Sequence, residues 1–316
     1  MEKDIFEEYI KHTEPEKKEK AYAWSIGIGL QDVDGIKPSK YLIETAKQNI
    51  EGEISLDQAE KMITAYYEEK PSRNEDRNKE ADEVALRITK IITEPAFSFT
   101  PNEYLSIHYR LFKGIYSHAG QIRKYNITKK EWILNEKSVT YGSFSELFKT
   151  LEYDLSQEKS FNYKNLNMDE IIKHLALFVS RLWQIHVFAE GNTRTTAVFF
   201  IKYLKTLGFE VGNELFSENS WYFRNALVRA NYNDLKNGVF ETTEFLEKFL
   251  RNLLLGEKNI LKNRDILKQF LLESIILTVF GGLVGIFIGI LFGLLTGAVV
   301  GIKPIFSLAS IIVSLS

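Results

Sequence analysis

The 316-residue chain predicts an all-α protein: a soluble helical body, one small β-hairpin and a membrane-spanning helix near its end. Three observations carry that expectation. Apolar residues recur at helical spacing through most of the stretch from Val84 to about Leu255, and alternate convincingly only at 131–142. With 45% hydrophobic and 26% charged residues, the chain reads as globular and long enough for about two domains around a sizeable core. Between Glu273 and Lys303 there is no ionisable residue. The bulk numbers also exclude. Lys+Arg 40 against Asp+Glu 42 gives a net charge of -2, which offers no footprint for nucleic acid. Zero cysteines rule out disulfides, thiolate nucleophiles and Cys-ligated metals, and they fit a reducing compartment.

Taken in order, the first twenty residues lack an apolar core and form no secretory signal. Residues 1–70 hold two short helical patterns. One, at 39–50, starts after Pro38-Ser39; the other starts near Ser55 and puts Ala59, Met62, Ile63, Tyr66 and Tyr67 on one face. So few apolar groups would fold poorly alone, so the segment is expected to dock on the second domain. A charge-rich run containing Pro71 marks a polar linker at 71–83. That second domain, 84–255, contains EWILN and SVTYG (131–142) as the hairpin, with Trp132, Leu134, Val139 and Tyr141 flanking its turn. Asn167 and Glu170 form a capping box ahead of a helix striped with Ile171, Leu175, Phe178 and Leu182. TRTTAVFFIKYLKTLG is apolar nearly all round and stops at Gly208, as a central buried helix would.

The segment 271–302 exceeds the roughly 20 apolar residues that span a bilayer. Its glycines, Gly281, Gly285, Gly289, Gly293, Gly297 and Gly301, recur every fourth residue and lay a smooth ridge along one face. That ridge suits either a homo-oligomer in the membrane or packing against the apolar tail, 303–316. Lys303-Pro304 breaks the helix. Lys258, Lys262, Arg264 and Lys268 precede the span and only Lys303 follows it, which keeps the soluble part in the cytoplasm.

The chemistry concentrates in HVFAEGNTR, His186 to Arg194, between the two central helices. It supplies an imidazole at a helix end and, in Glu190, a hard oxygen ligand suited to Mg2+. Gly191, Asn192 and Thr193 enter the next helix, where backbone N–H groups and the positive helix end converge as an anion site. Arg194 adds a forked cation. A base, a metal ligand, an anion nest and an arginine together are the parts of a phosphoryl or nucleotidyl transfer site.

His186, Phe188, Glu190, Gly191, Asn192 and Arg194 match H-x-F-x-D/E-G-N-G-R-x-x-R, and the chain resembles the Fic family of protein adenylyltransferases. HAGQIRKYNI (118–127) is similar to the segment ahead of that family's flap, and RANYNDLKNG (229–238) to its nucleotide-side helix region. The resemblance implies the Fic helical fold over 84–255, ATP as donor, Mg2+, and a protein substrate with a modifiable hydroxyl. His186 would be the general base and Glu190 the metal ligand. Gly191, Asn192, Thr193 and Arg194 would hold the phosphates, with Phe188 buried beneath them and Asn231 and Tyr232 at the nucleotide. Arg123, Trp132, Ile133 and Leu134 would belong to the flap that aligns the target. Two positions depart from the pattern: Thr193 stands where the motif has glycine, and Ala197 replaces its second arginine, the γ-phosphate grip. Arg123 is the cation nominated to substitute.

Residues 1–70 resemble the small VbhA-type antitoxin, through AWSIGIGLQDVDGIKPSKYL and NIEGEIS. Its inhibitory S/T-x-x-x-E-G aligns here with Leu30, Asp34 and Gly35. The hydroxyl is lost and the acid shortened where its arginine partner has become Ala197, so glutamate–arginine inhibition is expected to be absent. The whole reads as a Fic enzyme anchored in the bacterial inner membrane, transferring AMP from ATP to a Ser, Thr or Tyr hydroxyl. Two alternatives stay open: another donor or the removal of AMP, and a glycine-zipper oligomer that the Fic domain regulates.

Overall fold

A computed structural model describes residues 6, 9–10, 14–69, 77–211 and 215–300; in the last helix, the side chains at 274, 277, 278 and 297–300 lie outside that description. The described residues are all-α. In chain order the helices are α1 (Pro15–Gly29), α2 (Lys40–Glu51), α3 (Leu56–Glu69), α4 (Asn78–Thr93), α5 (Pro101–Phe112), α6 (Leu147–Ser160), α7 (Met168–Ile185), α8 (Asn192–Thr206), α9 (Leu215–Ala230), α10 (Glu244–Leu255) and α11 (Asn263–Val300). Single 3-10 turns lie at Leu30–Asp34, Trp132–Leu134 and Leu235–Asn237.

Local chemistry sets the ends. Ser39 caps α2 by accepting from the Leu42 N–H at 3.1 Å, and Thr100 caps α5 from the Glu103 N–H. Asn167 and Glu170 complete the expected capping box at α7 through two reciprocal bonds. Helix α8 is buried from Asn192 to Leu204 and is the axis around which α4, α5 and α7 pack.

Helix α4 has a different neighbour on each side. Val84, Ile88, Ile91 and Ile92 join the large core with α5, α7, α8 and α9. Ala85 and Leu86 join a smaller core with Trp24, Leu42, Ala46, Ile50, Ala59, Ile63 and Tyr67. The N-terminal helices therefore share a wall with the second domain. Asp82 on α4 bolts them down: its fully buried carboxylate accepts from the Ser39 N–H, the Ser39 hydroxyl and the Tyr67 hydroxyl.

Three expectations need correction. Residues 78–83 are the first turns of α4, with Glu80, Ala81 and Asp82 buried, so of the stretch read as linker only residue 77 stays outside a helix among those described. Helix α1 fills a stretch where the sequence suggested none. The 131–142 hairpin is absent. One antiparallel bridge, Glu131 with Lys137, closes a loop that contains the Trp132–Leu134 turn. Asn135 and Glu136 both sit at positive φ (51° and 66°), and Ile133 and Leu134 are buried side by side, so the alternation a ladder needs is broken.

Helix α11 runs unbroken through Gly293 to Val300, one helix rather than two, and Val279–Thr296 is long and apolar enough to cross a membrane. A Cβ built at Gly281, Gly285 or Gly289 would meet nothing within 4 Å. Gly301, Lys303 and the tail 303–316 lie outside the described residues.

Candidate active site

The loop from His186 to Gly191 joins α7 to α8, and its shape is set from inside. His186 caps α7 in the left-handed region, φ 52° and ψ 58°, an unfavourable conformation for a residue with a Cβ. Gly191 follows at φ 76°, and a Cβ there would come within 2.4 Å of the Phe112 ring. Between them the Asn192 side chain closes a two-way clasp on Phe188. Its Oδ1 accepts from the Phe188 N–H at 2.9 Å, and its Nδ2 donates to the Phe188 carbonyl at 2.8 Å. The Phe188 ring is fully buried and stacks 3.6 Å from His108.

His108, to which the sequence assigned no role, holds the other side of the loop. Its Nδ1 accepts from the Gly120 N–H at 2.8 Å, so its Nε2 carries the proton and donates to the Glu190 carbonyl at 3.0 Å. Burial lowers its pKa to about 3, which fixes this neutral tautomer.

Arg123 braces the loop as well. Its guanidinium donates to the carbonyls of His186 (2.7 Å), Tyr125 and Gly142, and its backbone N–H donates to Val187. Every nitrogen of this side chain is therefore engaged with backbone, and the role of substitute phosphate cation nominated for Arg123 is overturned. The same bonds place it beneath the loop rather than along a target. Ala197 is fully buried in α8 and offers no opening for a cation there.

The His186 imidazole is 97% out of solvent, and neither ring nitrogen has a hydrogen-bond partner. Burial first, then the charges of Lys129, Arg123 and Arg224, push its pKa well below the ordinary 6.5. It is a neutral base in a positive field. Tyr141 covers it with ring centroids 4.3 Å apart, and the Tyr141 hydroxyl donates to Glu131, which is itself paired with Arg224 at 2.9 Å. Glu190 points outward, more than half exposed, with Lys129 Nζ 3.3 Å away.

Arg194 is not free. It is fully buried, and its two terminal nitrogens reach Gln31 Oε1 (2.9 Å), Asp34 Oδ2 (2.8 Å), Glu80 Oε1 (2.8 Å) and the Tyr116 hydroxyl (3.1 Å). Burial alone would raise the Glu80 carboxyl; Arg194, Tyr116 and Arg77 more than reverse that and hold it low. The expectation that Asp34 has lost its arginine is overturned: it pairs with the first motif arginine. Leu30 is buried in the large core, and Gly35 ends the turn at φ 66°.

The other candidate residues are mostly structural. Thr193 Oγ1 accepts from Trp183 Nε1 at 3.0 Å and ties α8 to α7. Asn231 donates to the Ser180 and Leu227 carbonyls. Tyr232 packs against Phe270. Ile133 and Leu134 are buried, while Trp132 is half exposed. The structure thus brings His186, Glu190, Gly191 and the start of α8 together, and commits Arg123, Asn231 and Thr193 to the scaffold. Surface grooves of about 630 and 430 Å³ border the N-terminal helices, with residues such as Asn49 and Tyr22, and His186 lines neither.

Residues 98–204 match the model of the Fic/DOC family. The match takes in α5, α6, α7, nearly all of α8 and the whole loop, so this part of the chain is similar to a Fic/DOC-family domain. No curated protein matches the chain. Glu80, Asp34 and Gln31, which fasten Arg194 of the matched segment, all come from outside it.

Proposed function

We propose that the chain is a membrane-anchored Fic-type transferase that moves a nucleotide monophosphate, AMP from ATP in the first place, onto a Ser, Thr or Tyr hydroxyl of a protein. The observation that carries this reading is His186: buried, neutral, unpartnered at both nitrogens, and set at the turn that opens α8. A neutral imidazole so placed accepts the hydroxyl proton as the oxygen bonds to the α-phosphorus and pyrophosphate leaves. The first N–H groups of α8 have no acceptor within the helix and face the same side as its positive end, which suits phosphate oxygens.

Glu190 is the one carboxylate at the loop, and no group of three potential metal ligands occurs among the described residues. A resident ion has no cage. A magnesium ion arriving with a nucleotide needs only one or two carboxylates beside the phosphates, and exposed Glu190 fits that demand once Lys129 turns aside. Such an ion would supply charge neutralisation at the phosphates.

The clasp on Arg194 favours a closed resting form. Phosphate would have to take this arginine from Asp34 and Gln31, so the N-terminal segment competes with the donor for the same cation. The bacterial inner membrane, with the soluble part in the cytoplasm, is the compartment this reading assigns, on α11 and the basic residues before it.

The test uses the full chain in detergent beside His186→Ala, with α-labelled ATP, UTP, GTP and CTP, Mg2+ and bacterial lysate. Label fixed to protein only when His186 is present is the expected result, and it names the donor. Label that persists in His186→Ala, or no label from any nucleotide, overturns the reading.

A further inference from the structure

Two short loops meet at the foot of α11. The first is closed by the Glu131–Lys137 bridge and carries the Trp132–Leu134 turn; the second is closed by an Asp234–Val239 bridge and carries the Leu235–Asn237 turn. Lys137 Nζ lies 2.7 Å from Asp234 Oδ2 and joins the two. Both turns pack against α11. The contact is at the helix's soluble end, where Ile266 and Phe270 are buried, and the Phe270 ring lies 5.7 Å from Tyr232. Fully buried Arg229 then ties the Phe240 carbonyl (2.7 Å) to Glu273 on α11 (2.6 Å).

Past Glu273 the helix changes character at once. Ile275, Ile276, Val279 and Phe280 are all at least half exposed. From Ile275 to Thr296 the helix is about 33 Å long at the usual rise, close to the thickness of a bilayer's hydrocarbon. With α11 read as a span, this length would put Glu273 and the two loops beside it at the level of the headgroups. The same loops expose apolar side chains: Trp132 at 50%, Leu235 at 73% and Phe240 at 63%. A lone exposed leucine needs no explanation. Trp132 and Leu235 stand on the two turns that pack against α11, and Phe240 directly follows the second loop; indole rings prefer the membrane interface. Exposed Lys130 and Lys236 stand beside them, where cations meet anionic headgroups.

We propose that the Trp132 loop, the Leu235 turn and Phe240 are the lipid-contacting face of the soluble body, entering the interfacial layer of the bilayer that α11 spans. The proposal rests on the reading of α11 as a span. The occupant is lipid, because the two turns that carry these residues pack on α11 and Phe240 is tied through Arg229 to Glu273, next to where its run of exposed apolar residues begins.

The full chain is reconstituted in vesicles of phosphatidylcholine and phosphatidylglycerol, with or without acyl chains brominated near the headgroup, and its tryptophan emission is compared with that of Trp132→Phe. Trp24 and Trp183 are buried and Trp221 is common to both proteins, so the difference isolates Trp132. The expected result is quenching of the parent by brominated lipid, with at least half of the quenchable fraction lost in Trp132→Phe. Equal fractional quenching in the two proteins overturns the proposal. Insertion is checked separately with Ile288→Cys in this cysteine-free chain. A thiol at 288 that reacts with a water-soluble maleimide in intact vesicles sinks the span and this proposal together. A shielded thiol with equal quenching sinks the proposal alone.

Discussion

His186 and His108 are both buried imidazoles in one loop region, and their environments assign them opposite work. His108 has both nitrogens bonded and a pKa lowered to about 3, so it never titrates in the working range and holds the Glu190 carbonyl. His186 has neither nitrogen bonded and a pKa also lowered by burial. As a base it is therefore in its active form at pH 7, and the acid limb of the rate–pH profile is expected below 6.5; a limb at or above 6.5 would argue against the burial seen here. The stability consequence has one sign for both. Unfolded, each takes up a proton as pH falls below about 6.5, and folded, each resists. Stability is therefore intact above 6.5 and is lost as pH falls, for His108 down to about 3. In that window His108 contributes a slope of about 1.4 kcal/mol per pH unit. Thermal melts of His108→Gln and the parent between pH 7 and 4 are expected to show a shallower acid loss in the variant.

The helices whose signals are local were legible in the residues alone. Ser39, the Asn167–Glu170 box and the all-round apolar run of α8 each announce their helix. The motif loop was legible for the same reason, since its parts are contiguous. Helix α1 was not: it carries Gly27 and Gly29, which are costly in a helix that has no packing reason for them. They are close-approach positions instead: a Cβ at Gly27 would lie 2.4 Å from the Ala85 carbonyl oxygen, and one at Gly29 only 2.1 Å from Ser217 Cα. Neither contact is visible without the fold. Glu80 was hidden likewise, inside a charged run ahead of Val84, where the helical period of the sequence begins. At this scale the contact of the Leu30–Asp34 turn with Arg194 makes its own prediction. Asp34→Asn removes one of the two charges on Arg194 while keeping the shape, and the initial rate of label transfer is expected to rise about three- to ten-fold, as 1 kcal/mol or so of competition is relieved. An unchanged or lower rate would mean that phosphate does not compete for this arginine.

For the molecule as a whole, α11 is two things in one helix. Its foot, with Ile266 and Phe270, is part of the large core, and its remainder is exposed apolar surface. Removing the helix from residue 263 onward would therefore strip the core, whereas exchanging only Val279–Thr296 for an unrelated apolar segment of equal length would not. If the span is an anchor, that exchange is expected to leave label transfer by the reconstituted chain within about two-fold. A loss beyond ten-fold would assign the glycine ridge a role of its own. The reach of Arg194 has a further consequence, in time rather than space. Gln31 bonds to a side chain 163 residues further along the chain. While the protein is being made, the N-terminal helices must wait for α8 before that bond can close, and contacts of such separation are slow to form. Arg194 is thus fastened by a contact between distant parts of the chain, one that can close only after α8 exists. A molecule that has reached this native state holds Arg194 already paired, so any ligand for that arginine meets it engaged rather than free.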